Sequence, residues 1–346
     1  MSASQGQVDF YDKQISMSHG AGGEASRRLI EGLIQPLLSN PLLDTLSDAA
    51  IFAAPGGRLA MTADSYVVQP LRFPGGSIGE LAVNGTLNDL AVSAARPISL
   101  TAALILEAGL ATEVLRREIE AMAAAARRAG VLIVAGDTKV VEHGRADGMY
   151  ISTAGLGVVD PRSDLGPKRV QAGDQVLLSG PIGNHGMAIM LARAELDIEA
   201  DIRSDTRPLA SLTTALVECL HFDLKWMRDA TRGGVATVLN ELARDADVTV
   251  TIAEEAVPVD DIVRGACELL GLDPLQVANE GQFVAVVAGH RADAALAALR
   301  STPGGERACR LGEISAGRRP CVLAKAAYGG VRVVDMLIGD PLPRIC

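Results

Sequence analysis

The sequence predicts a two-domain protein of mixed α+β or α/β class. Short apolar runs ending in turn residues alternate with longer segments of helical period along its 346 residues. A polar stretch, "DPRSDLGPKRVQAGD" (160–174), holds two prolines and no period, and marks a domain boundary. Hydrophobic residues make up 48% of the chain and aromatics only 3%, so Ala, Val, Leu and Ile must build the cores.

In chain order, a glycine-rich leader (1–45) comes first, where "SHGAGGEASRRLI" sets Gly20, Gly22 and Gly23 before a helix. An N-terminal domain is expected over 46–160. Its strands are "RLAMTAD" (58–64), "SLTAALIL" (99–106), "VLIVAGD" (131–137) and "MYISTAGLGVV" (149–159). One helix carries Glu80, Asn84 and Asn88 as a polar stripe at i, i+4, i+8, with Asp89 beside it. A second, "ATEVLRREIEAMAAAARRAG", turns Leu115, Ile119, Met122 and Ala126 to one face and is closed by Gly130. A C-terminal domain is expected over 170–335, with strands "DQVLLSG" (174–180) and "FVAVVAG" (283–289). Its helices are "TRPLASLTTALVECL" and "ADAALAALR", and another opens at Gly233 and Gly234 in "DATRGGVATVLNELA". A tail, 336–346, follows.

A net charge of −10 argues against general nucleic-acid binding, which recruits basic surfaces. No apolar signal core and no run of about 18 apolar residues occurs, so a soluble cytoplasmic protein with no membrane role is expected. Five scattered cysteines without CxxC spacing suggest neither a disulfide framework nor a zinc knuckle.

Four aspartates stand in similar surroundings: Asp64 in "TADSY", Asp89 in "TLNDLA", Asp137 in "AGDTK" and Asp229 in "RDATRGG". Asp64 and Asp137 follow apolar strands and are expected at strand ends, where open sheets bind ligands. Oxygen donors without histidine suit magnesium, although each Asp taken singly also reads as a turn or helix cap. The two glycine clusters open helices whose amides attract phosphate, yet neither is a Walker A loop or a Rossmann fingerprint. Lys139 projects to the same side as Asp137 if the strand continues. Glu280 precedes a strand in "VANEGQF", and His19 is either a donor to phosphate or a structural histidine. The remaining histidines, His143, His185, His221 and His290, show no ligand spacing. In "GDPLPRIC", Pro341 and Pro343 favour an extended tail, and eight residues reach about 25 Å. Cys346 is therefore either an incidental thiol or one carried on a mobile arm.

The segments "ISMSHGAGG", "DSYVVQPLRFPGGSIGELAVNGTLNDLAV", "GDTKVVEHGRADGMYI", "GPIGNHGMAI", "RDATRGGVATVLNELA", "VANEGQF" and "LPRIC" together resemble the HypE family of hydrogenase-maturation proteins, within the AIR-synthase-like ATP-binding superfamily. The likeness runs along nearly the whole chain, and the "PRIC" ending is its discriminating piece. The resemblance implies an AIR-synthase-like two-domain architecture: an N-terminal mixed β-sheet domain that pairs in a homodimer, a C-terminal α/β domain and a flexible tail. It implies that a partner carbamoyltransferase places a carbamoyl group on Cys346, and that ATP then drives its dehydration to an S-cyanate. The cyanide would pass to iron on a separate scaffold complex during [NiFe]-hydrogenase assembly. Mg2+ would sit on Asp64, Asp89, Asp137 and Asp229. ATP would be bounded by Gly20, Gly22, Gly23, Asn84, Asn88, Thr138, Thr231, Gly233 and Gly234. Lys139 and Glu280 would handle protons and phosphate charge, in either order, with His19 nearby. Asn184, Ser77 and Arg72 depart from the family pattern, the first two where an acid is expected and the third where an aromatic is. Two rival readings compete: another ATP-dependent enzyme of the superfamily, which needs no terminal thiol, and an assembly adaptor without turnover.

Overall fold

A computed structural model describes residues 10–12, 18, 23–39, 41, 43–193, 200–317, 319–337 and 345–346. His19, Gly20, Gly22 and most of the tail lie outside the described residues.

In the leader, α1 (Glu24–Leu29) and α2 (Gln35–Leu38) flank a π-helical turn over Ile30–Ile34. The N-terminal sheet follows with β1 (Ala50–Ala54) and β2 (Gly57–Tyr66), and a two-residue ladder of β3 (Arg72–Phe73) and β4 (Gly76–Ser77) leads into α3 (Ile78–Val92). Then come β5 (Ala95–Glu107), α4 (Thr112–Arg128), β6 (Leu132–Val141) and β7 (Met149–Val159). The strand order is β1-β2-β7-β5-β6; only β5 and β6 run parallel, joined by α4 as crossover. Strand β7 alternates buried and half-buried residues along its length, as a sheet covered on one face requires. That covered face meets α3 and α4 over a core that includes Tyr66, Leu81, Leu90, Met122 and Ile151.

The C-terminal half contains β8 (Gln175–Leu178), α5 (Asn184–Ala192), α6 (Ala210–Leu220), β9 (Leu224–Asp229), α7 (Gly234–Ala246), β10 (Thr249–Ala253), α8 (Asp261–Leu270), β11 (Phe283–Val287), α9 (Ala292–Arg300), β12 (Cys309–Ser315), β13 (Cys321–Lys325) and β14 (Val331–Val333). Its seven strands order as β14-β13-β10-β12-β8-β11-β9. One core on this sheet gathers residues of α5, α7 and α8, including Met187, Leu239 and Val263; another gathers those of α6 and α9, including Leu216 and Leu299. Helix α3 is the axle between the halves. Thirteen of its fifteen residues are buried, polar Asn84, Thr86 and Asn88 among them.

Three local expectations need correction. Asp64 and Asp137 are not at strand ends: β2 keeps pairing with β7 through Tyr66, and β6 keeps pairing with β5 through Val141. Both carboxylates therefore stand on a sheet face. In α4 the buried stripe is turned, for Ile119 is 37% exposed whereas Glu118 is fully buried. Glu118 accepts from the Gly79 amide (3.1 Å) and pairs with Arg72 (2.8 Å), so the arginine that departs from the family pattern supplies the charge this buried acid needs. Helix α6 begins only at Ala210 because Pro208 bars Arg207 from helical geometry and Thr206–Leu209 is used elsewhere.

Candidate active site

The period of two in β2 turns Thr62, Asp64 and Tyr66 toward α3. There the Thr62 hydroxyl donates to Asp89 (2.7 Å), and the Tyr66 hydroxyl donates to Asp64 (2.8 Å). Asp229 closes β9 beside them. Burial pushes the Asp89 and Asp229 carboxyls well above the usual carboxylate range, and the neighbouring charges of Asp48 and Asp64 push both further. Glu280, wholly enclosed, is raised by burial first and then by Asp229, Asp64 and Asp205, with Arg232 opposing. Four acids from four separated segments thus share one field in a low-dielectric cleft.

The polar stripe of α3 binds protein. Asn88 donates to the carbonyls of Arg207 (3.0 Å) and Glu280 (3.2 Å) and accepts from the Leu209 amide (2.9 Å); Asn84 donates to Thr206 (3.4 Å). Asp205, on the same extended segment, accepts the amides of Glu280 (3.1 Å) and Gly281 (3.2 Å). Arg207 adds a bond to the Gly281 carbonyl (2.9 Å). Residues 204–207 therefore form a strap that fixes the Glu280 loop against α3. The sequence pattern alone places Thr206 and Arg207 in the helix that follows.

The called glycines are explained mostly by backbone. Gly233 caps α7 in the left-handed region (φ 74°), and at Gly234 a Cβ would lie 2.5 Å from the Leu275 carbonyl. Gly23 admits Leu337, whose carbonyl accepts the Glu24 amide (3.2 Å). Thr231 accepts the Gly234 amide (2.9 Å) and lines a cavity of about 210 Å³ with Asp48, Asp229 and Arg232. A second, of about 420 Å³, is bordered by Gly23, Ser26, Met61 and Thr62, and Asp48, Arg228 and Glu241 line both. Arg228 pairs with Asp48 and Glu241, each at 2.7 Å, so the wall of this cleft is an ion-pair cluster.

Cys346 is in the cleft. Burial pushes its thiol up to about 12, with Glu280, Asp64 and Asp229 raising it and Arg232 opposing. Ile345 is buried in the N-terminal core, and His185 meets its carbonyl at 2.6 Å. Arg232, Tyr66, Asp205 and His185 were missed as site residues. Arg232, Tyr66 and His185 lay inside the quoted "RDATRGG", "TADSY" and "GPIGNHGMAI" segments without being singled out as site residues; Asp205 carried no local signal.

Asp137 and Lys139 stand apart. They pair with each other at 2.7 Å on exposed β6, where the Lys139 bond holds the Asp137 carboxyl below its usual range. Thr138 donates its amide to Asp137 (2.8 Å). The register Asp64–Thr153–Ala102–Gly136 sets three strand spacings between β2 and β6, about 14 Å. The expectation that Asp137 shares one ion with Asp64, Asp89 and Asp229 is therefore not met within one chain, because β6 is the far edge of the sheet. Among the described residues no three His, Cys, Asp or Glu side chains stand close enough to hold a metal by themselves. Paired repelling carboxylates still suit magnesium, which is usually held by one or two carboxylates together with substrate phosphates and waters.

Two mixed domains clasping an acidic cleft define a class, the AIR-synthase-like proteins. The family models described as "AIR synthase related protein, N-terminal domain" and "C-terminal domain" match residues 46–159 and 171–324. "Carbamoyl dehydratase HypE" of Azotobacter vinelandii is 48% identical over 339 residues, 98% of this chain and 99% of the relative. A solved HypE in complex with ATP is 44% identical with a TM-score of 0.80, covering 96% of this chain and 100% of that one. A HypE-HypF complex contains a chain 43% identical with a TM-score of 0.85, covering 89% and 99%. Within the class, the chain belongs to the HypE family of carbamoyl dehydratases.

Proposed function

We propose that this chain dehydrates a carbamoyl group on its own Cys346 to an S-cyanate, at the expense of ATP, to supply the cyanide ligand of a [NiFe]-hydrogenase iron. The observation that carries the reading is the seating of Cys346 among Arg232, Glu280, Asp64 and Asp229. An S-carboxamide oxygen is a poor leaving group. Attack of that oxygen on the γ-phosphorus releases ADP and makes it a phosphate ester. Loss of one nitrogen proton, cleavage of the C–O bond with departure of phosphate, and loss of the second proton leave S–C≡N. In sum, carboxamide and ATP give thiocyanate, ADP and phosphate.

Glu280 is the base at the carboxamide nitrogen. Burial and the neighbouring carboxylates raise its pKa above the ordinary carboxylate range, which makes its ionised form a stronger proton acceptor. Arg232 offsets negative charge beside the sulfur. The strap and α3 hold the Glu280 backbone, which supplies proximity once the tail is docked. Magnesium would be held by Asp64, Asp89 and Asp229 and would neutralise triphosphate charge. The cleft between α1, β2, β9 and α7 is the nucleotide site, with the glycine-rich leader as its border.

A homodimer completes the site. Among the described residues strand β6 is an unpaired edge with Leu132, Val134 and Val140 at 73%, 61% and 67% exposure, and the uncovered sheet face adds Met61 and Ile105. Pairing there removes the edge and carries Asp137, Thr138 and Lys139 toward a second copy, where metal and phosphate roles are open to them. A carbamoyltransferase maturation protein donates to Cys346, a partnership supported by the relative solved with HypF. The acceptor is an iron-carrying scaffold complex. No helix among the described residues is long and apolar enough to cross a membrane.

The test is mass spectrometry of the C-terminal peptide after carbamoylation, with and without ATP. Carbamoyl-Cys346 should persist without ATP and lose one water with it. A carbamoyl adduct on an internal cysteine, or nitrile formed by a Cys346→Ser variant, would overturn the proposal.

A further inference from the structure

We infer that His185 is the latch that holds the tail in the cleft, a positioning residue acting through Ile345 on Cys346. The inference deepens the proposed function and rests on it for its catalytic meaning, but its geometry stands alone. His185 lies in the first turn of α5 and has no exposed surface. Its Nε2 is 2.6 Å from the Ile345 carbonyl oxygen. A carbonyl only accepts, so Nε2 carries the proton. Nδ1 lies 2.8 Å from the Ser204 hydroxyl, which therefore donates to it while accepting the Thr206 amide at 3.1 Å. The Phe73 ring meets the imidazole edge-on, with centroids 5.5 Å apart and planes at 88°. Ring plane and tautomer are both set by neighbours. Burial keeps the imidazole neutral by pulling its pKa down to about 4.

Buried histidines commonly tie a domain to itself. Here the bonded carbonyl belongs to residue 345, one peptide bond from the sulfur. Ile345 is 5% exposed, packed in the N-terminal core rather than on the surface. The other side of the latch is Ser204, the first residue of the strap, and the next residue, Asp205, holds the Glu280 and Gly281 amides. Tail docking and the placement of Glu280 thus share one short segment. When the tail leaves, the His185 Nε2–H loses this acceptor, a cost that favours return.

The experiment uses the full chain without ATP or carbamoyl donor. Alkylation of Cys346 by iodoacetamide is timed by mass spectrometry, with buried Cys267 as internal reference. In His185→Phe, which keeps an aromatic ring and removes the donor, Cys346 should label about tenfold faster, the equilibrium equivalent of one buried hydrogen bond, with Cys267 unchanged. His185→Gln, which restores a donor, should recover part of the protection. Ser204→Ala should move labelling in the same direction by a smaller factor, and it decides the matter if His185→Phe does not fold. Unchanged Cys346 labelling, or a rise matched at Cys267, overturns the latch. With carbamoylated protein and ATP, dehydration in His185→Phe should slow by a similar factor. Wild-type protein that shields Cys346 yet never dehydrates its carbamoyl group would defeat the proposed function and leave the latch standing.

Discussion

Asp205→Asn isolates the strap that places the proposed base. The wild-type carboxylate spends one oxygen on the Glu280 amide at 3.1 Å and the other on the Gly281 amide at 3.2 Å. The side chain is enclosed, burial raises its pKa, and the Arg207 charge opposes that rise. Asparagine has one acceptor oxygen, so one amide faces an NH2 group and goes unpaired. Bonds to a charged acceptor contribute about 1.5–3 kcal/mol each, and an orphaned buried donor costs about 1–3 kcal/mol. Relief from burying a charge returns part of this. A net loosening of about 2 kcal/mol is expected, roughly thirtyfold in the open-to-closed ratio of the loop. Single-turnover dehydration of carbamoylated protein, read as loss of water from the C-terminal peptide, should fall by about tenfold or more. Loading of Cys346 by its donor should be unaffected. If dehydration keeps its wild-type rate while the melting temperature also holds, the strap does not position Glu280 and the argument from residues 204–207 fails.

Replacing Arg228 by Met strands Asp48 and Glu241 without their shared cation, and breaking such a half-buried cluster costs about 1–3 kcal/mol, between the values for exposed and fully buried pairs. Differential scanning calorimetry should show a melting point lower by roughly 2 °C or more for each kcal/mol lost; an unchanged one would mean the cluster contributes nothing. Burial pushes the docked Cys346 thiol up to about 12 from an ordinary 9.0, so docking favours the protonated form. Its contribution is complete below about pH 9 and fades as pH climbs toward the docked value. The wild type should therefore lose stability relative to Cys346→Ser progressively above about pH 9, and parallel curves would contradict the seating of the thiol. If the chain pairs through β6 as proposed, charging that edge with Val134→Lys and Val140→Lys should leave a folded monomer in light scattering where the wild type is a dimer. Persistence of the dimer would place its interface elsewhere.

The alternating runs of β2, β5, β7 and β11 were legible because burial on one or both faces writes directly into a strand's residue pattern. So was the helical start at Gly233–Gly234, where a left-handed cap and a close approach exclude a side chain. The acids Asp64, Asp89, Asp229 and Glu280 were also legible, as motif residues. Sequence did not disclose that Asp137 and Lys139 stand about three strands away from Asp64, since strand order is set by pairing between distant segments. Nor did it disclose the buried Glu118, whose burial depends on Arg72 and Gly79 meeting it from another element. The amino-acid order by itself determined which chemistry the chain holds: acids, glycine clusters at helix starts and a thiol at position 346. Tertiary structure decided which of these share a cleft, and that His185 and residues 204–207 hold them there, because hydrogen bonds between residues up to 192 positions apart leave no local trace in sequence.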